Sequence, residues 1–202
     1  MPIETIIFDL GGVLIDWNPR YLYRKLLPNE AAVDHFLTHI ATNDWNEAQD
    51  AGRSLAEGTA WLVNKHPEQR ELIEAFYGRW EEMLGGPIPE VVDLLRELKY
   101  DKQFPVYALT NWSAETFPIA RARYDFLQWF DGILVSGEEK MRKPQAEFYQ
   151  LLEERFPLKL ATSLFIDDNA RNVAAAKALG LRSIHYQNPT QLRQELSTLL
   201  NE

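Results

Sequence analysis

Asp9 ends an apolar run and is followed at once by Leu10 and two glycines, in the stretch FDLGGVL (8–14). Alone, an aspartate beside glycines reads as the turn that follows a strand. Three further stretches change that reading. Thr110 and Asn111 follow the apolar run 104–109, Lys143 and Pro144 lie a short way beyond 132–135, and Asp167 and Asp168 follow 163–166. In an open parallel sheet, ligands bind beyond the carboxyl ends of the strands, so one edge would receive a carboxylate, a hydroxyl with an amide, an ammonium and a carboxylate pair. That set suits a metal-assisted phosphate site. Mg²⁺ takes oxygen from one or two carboxylates and leaves its other positions to phosphate and water, a role open to Asp9 and the Asp167/Asp168 pair. Thr110, Asn111 and Lys143 would hold the remaining phosphate oxygens by hydroxyl, amide and charge-assisted hydrogen bonds. Each part has a bland alternative: an acidic pair caps a helix, a lysine is solvated, a threonine ends a strand. Their conjunction in this order is what points to a site.

The elements that must position these residues are legible from periodicity. Runs 3–8, 104–109, 132–135, 163–166 and 182–186 are nearly continuous in β-branched or aromatic residues, as strands buried on both faces are. Helical patterns separate the last four. PEVVDLLRELK sets Val91, Leu94, Leu95 and Leu98 on one face, KPQAEFYQLLEERF opens with Pro144 at a first-turn position, and NARNVAAAKALGL starts on a capping Asn169 and stops at Gly180. The expected fold is α/β, a doubly wound, Rossmann-like parallel sheet flanked by helices. Residues 16–84 break the alternation. They show no convincing strand but several helix-like stretches, among them EAAVDHFLTHI and QRELIEAFYGRWEEML, and Gly85-Gly86-Pro87 closes them off. The expected division is an α/β core of residues 1–15 and 85–202 with an all-helical insertion over 16–84.

Composition narrows the partners. Thirty acidic residues against 21 basic ones, a net charge of −9, leave no basic stripe for nucleic acid, so a small molecule is the expected partner. The absence of cysteine removes disulfides and thiolate chemistry and fits a reducing compartment. The N-terminus has an acid where a signal peptide has basic residues, and no apolar run approaches a membrane span. A cytoplasmic protein without membrane contact, monomeric or homodimeric, is expected.

In order and in residue type, FDLGGVL, ALTNWS, MRKP and FIDDNARN resemble the motifs of the haloacid dehalogenase superfamily, and the insertion falls where that family carries a helical cap. The match covers essentially the whole chain and is similar to subfamily IA, in particular to its glucose-1-phosphatase-like members and the N-terminal phosphatase domain of soluble epoxide hydrolases. The resemblance implies a Mg²⁺-dependent phosphatase of small phosphorylated metabolites such as sugar phosphates. Asp9 would attack phosphorus to give an aspartyl-phosphate, the Gly11 carbonyl and Asp168, with Asp167 beside it, would complete the metal site, and Thr110, Asn111 and Lys143 would match the phosphate-binding loop and the family's lysine.

One position departs from the pattern. Family phosphatases carry a second aspartate two residues after the nucleophile, which protonates the leaving group and later activates water; here that position is Gly11. General acid–base help is worth about 10² to 10⁴ in rate, so the departure implies dependence on a good leaving group unless a group from the cap supplies the proton. Two other readings compete. 2-Haloacid dehalogenases also lack the second aspartate and need no metal, but have neutral residues where FIDDN has its acid pair. A binding protein that keeps only the fold would have lost Asp9, Thr110, Lys143 or Asp168, and all are present. Substrate choice is expected from the cap, with Trp17, Asn18 and Trp45 in its entry stretches and Trp112 beside the phosphate loop as aromatic walls; the alternative is that these tryptophans are core. The four histidines have no ligand-like spacing.

Overall fold

The computed structural model describes residues 2–200. The chain runs β1 (Thr5–Phe8), β2 (Ile15–Trp17), α1 (Arg20–Leu26), α2 (Glu30–His39), α3 (Asn43–Asp50), α4 (Leu55–Lys65), α5 (Arg70–Gly78), β3 (Leu84–Pro87), α6 (Pro89–Arg96) and β4 (Val106–Thr110). It continues through α7 (Phe117–Arg123), β5 (Gly132–Val135), α8 (Ser136–Glu139), α9 (Ala146–Arg155), β6 (Ser163–Asp167), α10 (Ala170–Ala178), β7 (Arg182–His185) and α11 (Pro189–Leu200).

The five apolar runs form one parallel sheet in the order β5-β4-β1-β6-β7. Every residue of β1, β4 and β6 is buried, which is why these runs lack polar alternation. Alternation persists in what each side chain meets. Ile6 and Phe8 join the apolar cluster that continues into the cap, whereas Ile7 joins Leu109, Phe148, Tyr149 and Phe165 on the other face. β4 starts at Val106, later than the run beginning at 104, because Pro105 has no N–H to pair; its carbonyl accepts from Ile6 N–H at 3.1 Å. β4 and β6 each extend one residue further than the apolar runs, to Thr110 and Asp167.

Three sequence expectations are corrected. Pro144 is not in the first turn of α9; Gln145 is its N-cap and the helix begins at Ala146. The insertion is not purely helical, since β2 and β3 form an antiparallel ribbon at its base. Gly85 and Gly86 do not close it as a loop but lie in that ribbon. Glycine is depleted in strands, yet only glycine fits here, because a Cβ on Gly85 would lie 2.2 Å from Asp16 Oδ2, a carboxylate held by the Tyr21 hydroxyl at 2.6 Å. Between the two strands, α1–α5 build a distinct helical cap. Its side chains Tyr23, Val33, Phe36 and Phe76 belong to the same apolar cluster as Phe8 and Ile166 of the sheet.

Candidate active site

Asp9 follows β1 directly, and its N–H still pairs with the Ile166 carbonyl of β6 at 2.8 Å. Its carboxylate is almost closed off, with Oδ1 accepting from the Leu10 N–H at 2.7 Å. Lys143, in the loop between α8 and α9, is fully buried. Asn111 fixes that loop from both sides, Oδ1 accepting from the Lys143 N–H at 2.9 Å and Nδ2 donating to the Lys143 carbonyl at 3.0 Å. The lysine Nζ then stands 2.9 Å from Asp9 Oδ2 and 2.7 Å from Asp167 Oδ2.

Asp9, Asp167 and Asp168 each offer a carboxylate oxygen, all within 4.8 Å of one another. Burial pushes the Asp9 carboxyl up; Lys143 pulls it down, and Asp167 and Asp168 push it up again. Burial alone would lower the Lys143 ammonium, but Asp167 and Asp9 outweigh it and hold it above its usual range, so the lysine stays charged. One ammonium thus faces three carboxylates, and the surplus negative charge sits on oxygen donors alone. That is the chemistry a hard divalent cation takes. The three are not equivalent. Asp167 has no exposure and accepts from Lys143 Nζ, the Asn169 N–H at 2.7 Å and Asn172 Nδ2 at 3.1 Å, so its oxygens are engaged in holding the lysine. Asp168 is exposed at the mouth. Thr110 Oγ1 is buried without a hydrogen-bond partner, a condition shared among the described side chains only by the Tyr124 hydroxyl. A sealed, unpartnered hydroxyl is costly, and this one stands at the end of β4, the strand beside β1 and Asp9.

Asp9, Gly11, Gly12 and Asp168 open into a cavity of about 310 Å³. Trp17, Trp80 and Trp112 form much of its wall, and α3 of the cap contributes Asn46 and Asp50. The Trp80 and Trp112 rings meet edge to face at 5.8 Å, and the Trp112 indole N–H donates to Thr116 Oγ1 at 3.1 Å. α3 is bolted to the core. Glu47, buried, pairs with Arg142 at 2.8 Å and Arg171 at 2.7 Å, and the Asp50 carbonyl accepts from the Ser136 hydroxyl.

A family model for haloacid dehalogenase-like hydrolases matches residues 3–180. The chain belongs to the haloacid dehalogenase-like hydrolases. It is 30% identical to a sesquiterpene phosphatase of Aspergillus oryzae over 98% of this chain and 96% of that one. A magnesium complex of a HAD family enzyme from Bacteroides thetaiotaomicron shares its fold with a TM-score of 0.69 at 21% identity, over 93% of this chain and 94% of that one. An L-2-haloacid dehalogenase from Xanthobacter autotrophicus with chloropropionic acid covalently bound does so with a TM-score of 0.64 at 17% identity, over 97% and 83%.

The hydrolase thus gathers Asp9, Gly11, Thr110, Asn111, Trp112, Lys143, Asp167 and Asp168 at one edge of its sheet, with Trp17 reaching over from β2. Two of the site residues expected from sequence lie elsewhere. Trp45 is buried in the cap, its indole N–H donating to the Gly58 carbonyl at 2.9 Å and its ring packed edge-on to Phe76. Asn18 accepts from the Arg20 N–H at 3.0 Å at the start of α1 and borders a separate groove. Asn111 borders the cavity, and its amide also positions the lysine: Oδ1 and one Nδ2 N–H pair with the Lys143 backbone, which leaves a second N–H of the amide. Sequence reasoning missed Asp50, Trp80 and Thr116 on the wall. For Asp50 a signal existed: Asn46 and Asp50 share one face of α3 at i, i+4, while Trp45 and Gln49 share the buried one.

Proposed function

We propose that this hydrolase is a Mg²⁺-dependent phosphatase of small phosphorylated metabolites that works through an aspartyl-phosphate on Asp9. The observation that carries this reading is the Asp9–Lys143–Asp167 chain beside Asp168, a carboxylate fixed by a buried ammonium with surplus negative charge around it. Asp9, Asp168 and the Gly11 carbonyl would hold the ion, with Asp167 behind them. Bound there, Mg²⁺ would neutralise charge between Asp9 and the incoming phosphoryl group. The remaining work belongs to the chain. Lys143 and the Thr110 hydroxyl hold phosphoryl oxygens, and the Asp9 carboxylate forms the new O–P bond as the ester O–P bond breaks. Water then attacks phosphorus and releases Asp9.

The phosphatase relative of Aspergillus oryzae and the magnesium complex from Bacteroides support this reading. The tryptophan wall suits substrates with an apolar face, which both a sugar ring and a prenyl chain present. The carboxylate cluster favours phosphoryl transfer over halide displacement. A screen of sugar, polyol, prenyl and p-nitrophenyl phosphates with Mg²⁺ or with chelator, run beside 2-chloropropionate, tests the proposal. Phosphate release that requires Mg²⁺ and vanishes in Asp9→Asn and Asp168→Asn is expected. Full turnover in excess chelator, or halide release without phosphate release, would overturn it.

A further inference from the structure

If the Asp9 reading holds, a proton donor is missing at Gly11. The space there is open, since no atom lies within 4 Å of a Cβ built on Gly11; the position has not been filled by packing and remains part of the cavity. The titratable side chains on the cavity wall are Asp9, Asp168 and Asp50. Asp9 is the nucleophile and Asp168 is assigned to the metal. We propose that Asp50, the last residue of α3, is the general acid and base of this hydrolase, delivered from the cap in place of the absent aspartate.

Asp50 is held as a catalytic group must be. Asn46 Nδ2 donates to Oδ2 at 3.1 Å, the Ser113 backbone bonds to the carboxylate, and the residue's own carbonyl accepts from Ser136. Ser113 and Ser136 belong to the core, just beyond β4 and β5, so the carboxylate keeps station over the site although it stands on the cap. Glu47 adjoins it on α3, Arg142 faces it from the loop before α9, Tyr77 from α5, and Lys140 packs on the neighbouring Gly52. Burial and then Glu47 push its carboxyl up to about 7, against Arg142 and the Ser113 bond. A carboxyl in that range is part protonated and part ionised at neutral pH, as alternating acid and base roles require. In the first step the Asp50 carboxylic acid gives its proton to the ester oxygen while the P–O bond breaks and Asp9 bonds to phosphorus. In the second the Asp50 carboxylate takes a proton from water as the water oxygen bonds to phosphorus and the Asp9–phosphorus bond breaks.

Asp50→Asn separates the two steps. With p-nitrophenyl phosphate, whose leaving group needs no proton, the variant should release one equivalent of nitrophenolate per enzyme in a burst and then turn over slowly. With an alkyl phosphate there should be no burst, and kcat should fall by about 10² to 10⁴. The limb near pH 7 in the wild-type profile should disappear. Beryllofluoride, which can mimic an aspartyl-phosphate, should still protect the variant against thermal unfolding, showing that Asp9 and the fold are intact. Adding Gly11→Asp to Asp50→Asn should restore turnover of the alkyl phosphate. No burst with p-nitrophenyl phosphate, a loss that falls on KM alone or an unmoved pH profile would overturn the assignment. A wild type that releases phosphate from no ester would instead overturn the Asp9 reading, and this one with it.

Discussion

A methyl group on Gly12 would lie 2.3 Å from Asp168 Oδ2, and the residue holds a φ of +76°. Gly12→Ala therefore strains the backbone and displaces the exposed carboxylate. It should abolish stabilisation by Mg²⁺ in a thermal melt, whereas Gly11→Asp should keep it, because a side chain at Gly11 has room. Lys143 makes the opposite case, a charge that cannot be removed without orphaning two others. Lys143→Ala should cost about 3–5 kcal/mol in urea unfolding, besides losing turnover. Asp9, Thr110, Lys143 and Asp168 were legible because strand ends converge by topology alone. Trp45 was misplaced because a tryptophan on an amphipathic helix gives no sign of which face meets the ligand. Asn111 was legible as a site residue, but its bonds to Lys143 were not, because an amide beside a phosphate loop does not announce that it also grips the distant backbone of Lys143.

Among the elements, α3 decides how the cap meets the core. Its outer turn carries Glu47 to Arg142 and Arg171, and its last residue is Asp50. Glu47→Gln should weaken both charge-assisted bonds, costing about 1.5–3 kcal/mol, and raise KM as the cap loosens. It should also move the kinetic limb of Asp50 to lower pH, since removing a neighbouring negative charge favours the ionised carboxyl. Titrating kcat and KM of the variant against the wild type checks both. The sheet was readable because β1, β4 and β6 are buried on both faces. The ribbon of β2 and β3 was not, because Leu84–Pro87 contains two glycines and a proline, each a breaker by propensity; what makes it a strand is the approach of Asp16 to Gly85, a tertiary contact.

At the scale of the whole molecule, buried acids tie stability to pH. A carboxyl raised on folding contributes stability that is complete below its unfolded value and is lost as pH rises through its folded one. For Asp50 that window runs from its usual 3.8 to about 7, and Asp9 adds to it in the same direction. The urea midpoint of metal-free protein should therefore fall between pH 5 and pH 8, and Asp50→Asn should flatten the fall by no more than about 3 kcal/mol. Mg²⁺ should offset it, with a larger rise in melting temperature at pH 8 than at pH 5, because its ligands must be ionised to bind. Among the described residues no helix is long and apolar enough to cross a membrane, and a net charge of −9 suits a small-molecule substrate better than a phosphate backbone. The most direct measurement is the mass of the intact chain, acid-quenched during turnover of p-nitrophenyl phosphate with Mg²⁺. A gain of one phosphoryl group, located by fragmentation to Asp9 and absent in Asp9→Asn, is expected; turnover that persists in Asp9→Asn, or a phosphoryl group on any other residue, would contradict the aspartyl-phosphate mechanism.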